Sequence, residues 1–483
     1  MIRQRTGSHL GIVRTALAAF IITTEVVFLY YLAPAGVEFV VSSAILTLAI
    51  LLQLKFGIRR GAPTPADIVV FIFNWLFLDL APKIQLMSVP DALVNTSSVV
   101  PEQVLVTNLI CALFIATFTL VYSLLRRRSA DEVAAPMARD VQPRPLPSVG
   151  VFLAVSACVI VVLAAGRGLY ADTDAVVVIT PKDLILHKFL LFLPPATLLI
   201  LLHETICSQR KVLFSRTFVL MLLFILVAVT QNPLTEKRNG LGPIYLGLIF
   251  IAFEPRLRSL NRRLLLLIAS MVLGFPAITV LTHNHSQIFT GVKLGAVLDT
   301  IKDLYFSGHY DAWANIYTTV EMVKRHGILW GHQLLGSCLF FMPSSLWHGK
   351  PVATGIAIAN YLIRNYSMWF TNLSAPLIAE GYLDFGVLGV AIYGAVLALL
   401  VNLINRAEVR EGKWFLFPFA TYLAIFLMFA LRGSLMIAFA YGTGAMLAFV
   451  MASGFLSIGL RHVGERYFLR ESHSRFVMRS SSM

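Results

Sequence analysis

The sequence predicts an all-α protein built from membrane-spanning helices, and three observations predict it. Apolar residues are 58% of the 483, with a mean hydropathy of +0.78, far outside the soluble globular range. They gather into runs of about 20 residues, the length needed to cross a bilayer. Lys and Arg stand in short clusters between those runs. A net charge of +14 would suit a nucleic-acid partner, but basic residues confined to loops report membrane topology instead, so nucleic acid is not expected.

In chain order the apolar runs give about twelve helices, at roughly 15–33, 36–54, 67–88, 104–125, 149–166, 184–203, 213–230, 240–253, 262–281, 376–404, 414–431 and 434–458. The first follows Arg3, Arg5 and Arg14 and is long enough to remain as an anchor. Between the fourth and fifth lies RRRSADEVAAPMARDVQPRPLP, polar and proline-rich, which reads as a flexible cytoplasmic linker. The eighth is short. With the N-terminus inside, the inner segments hold 26 Lys and Arg against 12 outside, Lys83 being counted with the outer segments and Lys188 lying within a helix. That asymmetry places both termini in the cytoplasm.

One apolar stretch, 327–343, carries His332 and Gln333 and resists the pattern. Were it to span, the balance would fall to 21 against 17. It therefore reads as a re-entrant or interfacial helix, within one long outward-facing loop at 282–373 inserted in a single membrane domain of residues 1–483. Loops that long in compact proteins usually carry function. No internal repeat stands out, and the four cysteines, at 111, 158, 207 and 338, form no metal or disulfide pattern.

Candidate chemistry converges on the outer side. Arg238 opens the short eighth helix, where it reads equally as a solvated cap or a ligand-binding cation. Arg432 stands in the tight turn ALRGSL between the last two helices. It either snorkels to the interface or turns into the bundle, and the brevity of the turn favours the second. Glu380 and Asp384, four apart on the tenth helix, share a face beside Gly381, Gly386 and Gly389. An intramembrane carboxylate such as Glu380 is a candidate proton acceptor or arginine partner. His283 and His285, in LTHNHSQ, are two ligands short of a metal site, so no metal is expected there; either could act as a base. His309 with Asp311, and His348, are similarly placed. Trp347, Trp369, Tyr366 and Tyr382 read as an interfacial aromatic belt that could also present sugar platforms.

In these residues the chain resembles the integral-membrane oligosaccharide repeat-unit polymerases that build O-antigen and capsule-type polysaccharides. The resemblance runs in patches, DLAPKIQL, QNPLTEKRNG, GHYDAW, GHQLLGSCLFFMPSSLWHGKP, SAPLIAEGYLDFGVLG and LRGS, with PSSLWHGKP followed by EGYLDFGVLG the most specific. Ser344 departs from it, since the family often has arginine there, which moves the anion-binding expectation onto Lys350 and Arg364.

What the resemblance implies is a GT-C-like helical glycosyltransferase at the periplasmic face of a bacterial inner membrane. It would transfer a growing glycan from undecaprenyl diphosphate onto a new lipid-linked repeat unit, alongside a flippase and a chain-length regulator. An activated donor needs no nucleotide or redox cofactor. A diphosphate leaving group calls for arginines, hence Arg238 and Arg432 with Glu380 as the catalytic set. Lys350, Arg364, His283, His285, Asp311, Trp347 and Tyr382 would bind substrate. Two other functions fit the same class of chain: an O-antigen ligase delivering glycan to lipid A-core, and a lipid-linked oligosaccharide flippase.

Overall fold

In the computed structural model, the described residues are 6–32, 36–58, 64–89, 93–132, 146, 148–165, 189–207, 214–233, 238–254, 256–257, 259–274, 303–306, 308–407 and 415–458. They form helices and connecting turns, as the hydropathy requires: in a bilayer a backbone must satisfy its own hydrogen bonds. Seven of the described helices are long and apolar enough to cross a membrane, and three more, Ser215–Thr230, Gly240–Ala252 and Leu416–Arg432, are apolar but shorter. Each of the twelve expected segments contains helix.

The chain divides into two compact units. The larger comprises 1–137, 233–408 and 420–442. It opens with α1 (Thr6–Leu32) and α2 (Val37–Phe56), which pack together. Next comes a helical run of α3 (Ala66–Trp75), a π-helical turn at Leu76–Leu80, and α4 (Ala81–Ser88). The π turn has a local cause. In an unbroken α-helix the ring of Pro82 would strike the carbonyl four residues back. Widening the turn, so that the Ala81 amide reaches the Leu76 carbonyl, accommodates it. That turn presents Asp79 to the interior.

Helix α5 (Pro101–Glu132) is the central pillar, with α2 along it. The smaller unit, 138–232, 409–419 and 443–483, contains α6 (Ser148–Ala165), α7 (Leu193–Cys207) and α8 (Phe214–Thr230). There Arg216 forms an ion pair with the buried Glu204, and His203 stacks on Phe417 at 4.8 Å. The chain continues through α9 (Arg238–Ala252), α10 (Leu260–Ala269), α11 (Ala312–His326), α12 (His332–Cys338) and α13 (Thr354–Tyr366) to α14 (Leu377–Asn405), α15 (Leu416–Arg432) and α16 (Leu435–Ser457).

Two features depart from simple spans. The stretch 327–343 contains only the seven-residue α12, about 10 Å long and too short to cross a bilayer. And α14 is broken at Gly386, whose φ of 63° and ψ of −146° are open to glycine alone. The fold there is so sharp that Gly381 and Gly389, eight residues apart, meet backbone to backbone; a Cβ on Gly389 would collide with the Gly381 carbonyl. The glycines expected to ease packing between helices thus ease the packing of one helix's two arms. The longer arm, 387–405, runs along α5, with Gly394 against the Phe114 carbonyl.

Candidate functional site

The first arm of α14, the turn between α15 and α16, and the start of α11 come together near Arg432. This arginine ends α15, and Gly433 closes the helix by donating to the Phe429 carbonyl at 2.7 Å. The Arg432 Nη2 donates to the Gly308 carbonyl at 2.7 Å and to Asp311 Oδ1 at 3.1 Å. Its Nε is buried with no hydrogen-bond partner among the described residues. With 16% of the side chain exposed, the guanidinium is fixed on one side and has a donor to spare.

Asp311 is a holder. Its Oδ1 also accepts from the Ser374 hydroxyl at 2.7 Å, and its Oδ2 accepts from Asn315 Nδ2 at 2.8 Å and the Ser374 amide at 3.2 Å. Only 1% of Asp311 is exposed, and so many donors leave the carboxylate little capacity for a ligand. Beside it, burial pushes the Tyr310 hydroxyl well above the usual tyrosine range, the Tyr305 phenol adds to that, and Arg432 opposes it. Each of these effects but the last favours the neutral phenol.

Glu380 holds the same turn from beneath. Fully buried on the first arm of α14, it accepts from the Thr354 hydroxyl at 2.7 Å through Oε2 and from the Leu435 amide at 2.8 Å through Oε1. The Ser434 hydroxyl accepts from the Gly355 amide at 3.0 Å. Glu380 thus serves the otherwise orphaned amide that opens α16, three residues after Arg432. Asp384, one helical turn further on, does the same for α12, accepting from the Gln333 and Leu334 amides at 3.0 and 2.8 Å. The shared face expected from the spacing is present, and it is a face that clamps helix starts.

Of the other expected site residues, Lys350 donates through Nζ to the Phe340 and Met342 carbonyls at 2.7 and 2.8 Å, bracing the turn after α12. Trp347 is half-buried, edge-on to His332 at 6.1 Å. Arg364 is exposed on α13. Tyr382 is half-buried against the core. Arg238 is the first residue of α9, but its side chain lies outside the described residues, as do His283 and His285 altogether. The fold therefore gathers Arg432, Asp311 and Glu380, and holds Lys350, Arg364, Trp347 and Tyr382 elsewhere in the same unit. Among the described residues no group of three or more His, Cys, Asp or Glu could hold a metal ion.

A second charged group was not singled out in the sequence. Glu25 on α1, Asp79 on the π turn and Lys83 on α4 meet inside the larger unit. Lys83, assigned by sequence to an outer segment, is only 4% exposed. The signal was present in the acidic residue within the first apolar run and in the Asp-Leu-Ala-Pro-Lys spacing, which puts Asp79 and Lys83 one turn apart.

The chain matches no protein-family model, no curated protein and no solved structure.

Proposed function

We propose that the chain is a membrane glycosyltransferase that polymerises undecaprenyl-diphosphate-linked repeat units into a surface polysaccharide. The observation that supports this reading best is Arg432, oriented by Asp311 and Gly308, part-exposed, and with no Nε partner among the described residues. An acceptor hydroxyl of the incoming repeat unit attacks the anomeric carbon of the growing chain, and the bond from that carbon to the diphosphate oxygen breaks. Charge gathers on the leaving diphosphate, where a fixed guanidinium acts with little reorganisation. Arg238 is the second candidate cation. Each Glu380 oxygen accepts one hydrogen bond within the fold, which favours for it the part of a positioning residue for the Arg432 turn. Activation of the acceptor then falls to His283 or His285.

The test is elongation of purified lipid-linked repeat units by the detergent-solubilised protein. Wild type should give a ladder of longer glycans, with and without chelator. No elongation by well-folded protein, or transfer only to lipid A-core, would overturn the proposal. The proposed setting is the inner membrane with both termini cytoplasmic and the α11–α13 region outside. The exposed Cys338 and Cys207 read this directly. An impermeant thiol reagent applied to intact cells should label Cys338 and spare Cys207; the opposite pattern would invert the topology.

A further inference from the structure

The triad inside the larger unit is unbalanced in charge. Lys83 Nζ meets Glu25 Oε2 at 2.6 Å, Thr47 Oγ1 at 2.8 Å and Asp79 Oδ1. An ammonium has three N–H bonds, so Lys83 is saturated. Glu25 Oε2 also accepts from Ser43 at 2.9 Å and faces Thr47 at 3.0 Å. The second oxygen of each carboxylate, Glu25 Oε1 and Asp79 Oδ2, is buried without a hydrogen-bond partner among the described residues. Two ionised carboxylates around one ammonium leave a net negative charge, which a membrane interior strongly disfavours.

We propose that this triad is a proton-binding site, with one exchangeable proton held on Asp79 Oδ2. The missing positive charge is a proton and not a metal ion, because the ammonium already occupies the space between the two carboxylates and would repel a second cation. The proton belongs on Asp79 because Glu25 has three donors around one oxygen while Asp79 shares Lys83 and Thr47. Asp79 and Lys83 also line a cavity of about 20 Å³, room on the order of one water, from which the proton is exchanged. Ser43, Asn108 of α5 and Trp313 of α11 line the same cavity, and the charged groups acting on Asp79 are Lys83 and Glu25. The helical run that carries Asp79 and Lys83 also touches the segment that holds Asp311: Phe77 stacks on Tyr310 at 5.0 Å, and Gln85 donates to the Tyr310 carbonyl at 3.2 Å, one residue before Asp311.

Infrared spectroscopy of the purified full-length protein tests this, reading the protonated-carboxyl C=O band with carboxyl-labelled aspartate or glutamate. Wild type should show a component shifted by the aspartate label. Asp79→Asn and Glu25→Gln should each abolish that component, since either change neutralises the triad. Lys83→Met should add a second, glutamate-sensitive component. If these charge changes prevent folding, Ser43→Ala keeps every charge and should transfer part of the band from aspartate to glutamate. An unchanged band in Asp79→Asn, an unchanged isotope pattern in Ser43→Ala, or loss of the wild-type component on adding sodium or potassium would overturn the proposal.

Discussion

Two buried ionic groups of the larger unit each set an Asp and a Glu near one basic residue, and they are balanced in opposite ways. Around Arg432, each carboxylate oxygen of Glu380 and Asp311 has at least one donor, and the guanidinium is left with a spare Nε. Around Lys83, the cation is saturated and two carboxylate oxygens have no partner among the described residues. The first arrangement is a fixed cation with capacity for an anion; the second is a fixed anion pair with capacity for a proton. Geometry accounts for the difference. Glu380 and Asp384 meet helix starts, which supply N–H groups in number. Glu25 and Asp79 meet the sides of helices, where backbone donors are already used.

The comparison can be broken most severely at Lys83. Lys83→Met leaves the ionised Glu25 buried without its cation beside the protonated Asp79, and should cost about 3–5 kcal/mol of stability, read as a large fall in thermal midpoint in detergent. The loss should shrink as pH is lowered, because each proton taken up removes one uncompensated charge. A small, pH-independent loss would mean that the triad is solvated.

On the other side, Arg432→Lys keeps the charge but loses the planar fork. One lost transition-state contact is worth about 3 kcal/mol, or roughly a hundredfold in elongation rate. Arg432→Lys and Arg432→Ala should both fall by about that factor at unchanged protein level. Full activity in either would remove the arginine from the mechanism.

Glu380 separates anchoring from proton transfer. Glu380→Ala strands the Leu435 amide and the Thr354 hydroxyl, a loss of about 2–4 kcal/mol. Glu380→Gln can still accept from Leu435 and donate to Thr354, so its cost should be about 1 kcal/mol or less, with elongation nearly intact. A folded Glu380→Gln protein that binds donor but does not turn over would instead make this residue the base.

A loss of stability no larger than that of Glu380→Ala is expected at the break in α14. Gly386→Ala forces a side chain into a glycine-only conformation, about 1–3 kcal/mol. Gly389→Ala, which drives a methyl into the Gly381 carbonyl, should cost at least as much. Equal tolerance of alanine at both positions would argue for a straight helix.

Much of the helical content was legible because apolar length is a local property. The runs at 36–54, 376–404 and 434–458 coincide closely with α2, α14 and α16. The glycines of EGYLDFGVLG were visible too, though not that Gly386 turns the chain back on itself. The stretch 327–343 has the composition of a span, and its reduction to one short helix depends on Asp384, some 50 residues away, capping its start.

The sequence by itself determined the class: an apolar chain whose helices must satisfy their own backbone in lipid, with charges sorted into loops. It also named Arg432, Asp311 and Glu380, because a charge close to an apolar run is costly enough to stand out. Only the tertiary structure decided what those charges do. Arg432 and Asp311 are 121 residues apart, Lys83 and Glu25 are 58 apart, and Glu380 reaches forward 55 residues to Leu435. No periodicity encodes such pairings. They exist because close packing brings particular side chains within hydrogen-bond range, and in a low dielectric each buried charge must then find donors or a counter-charge.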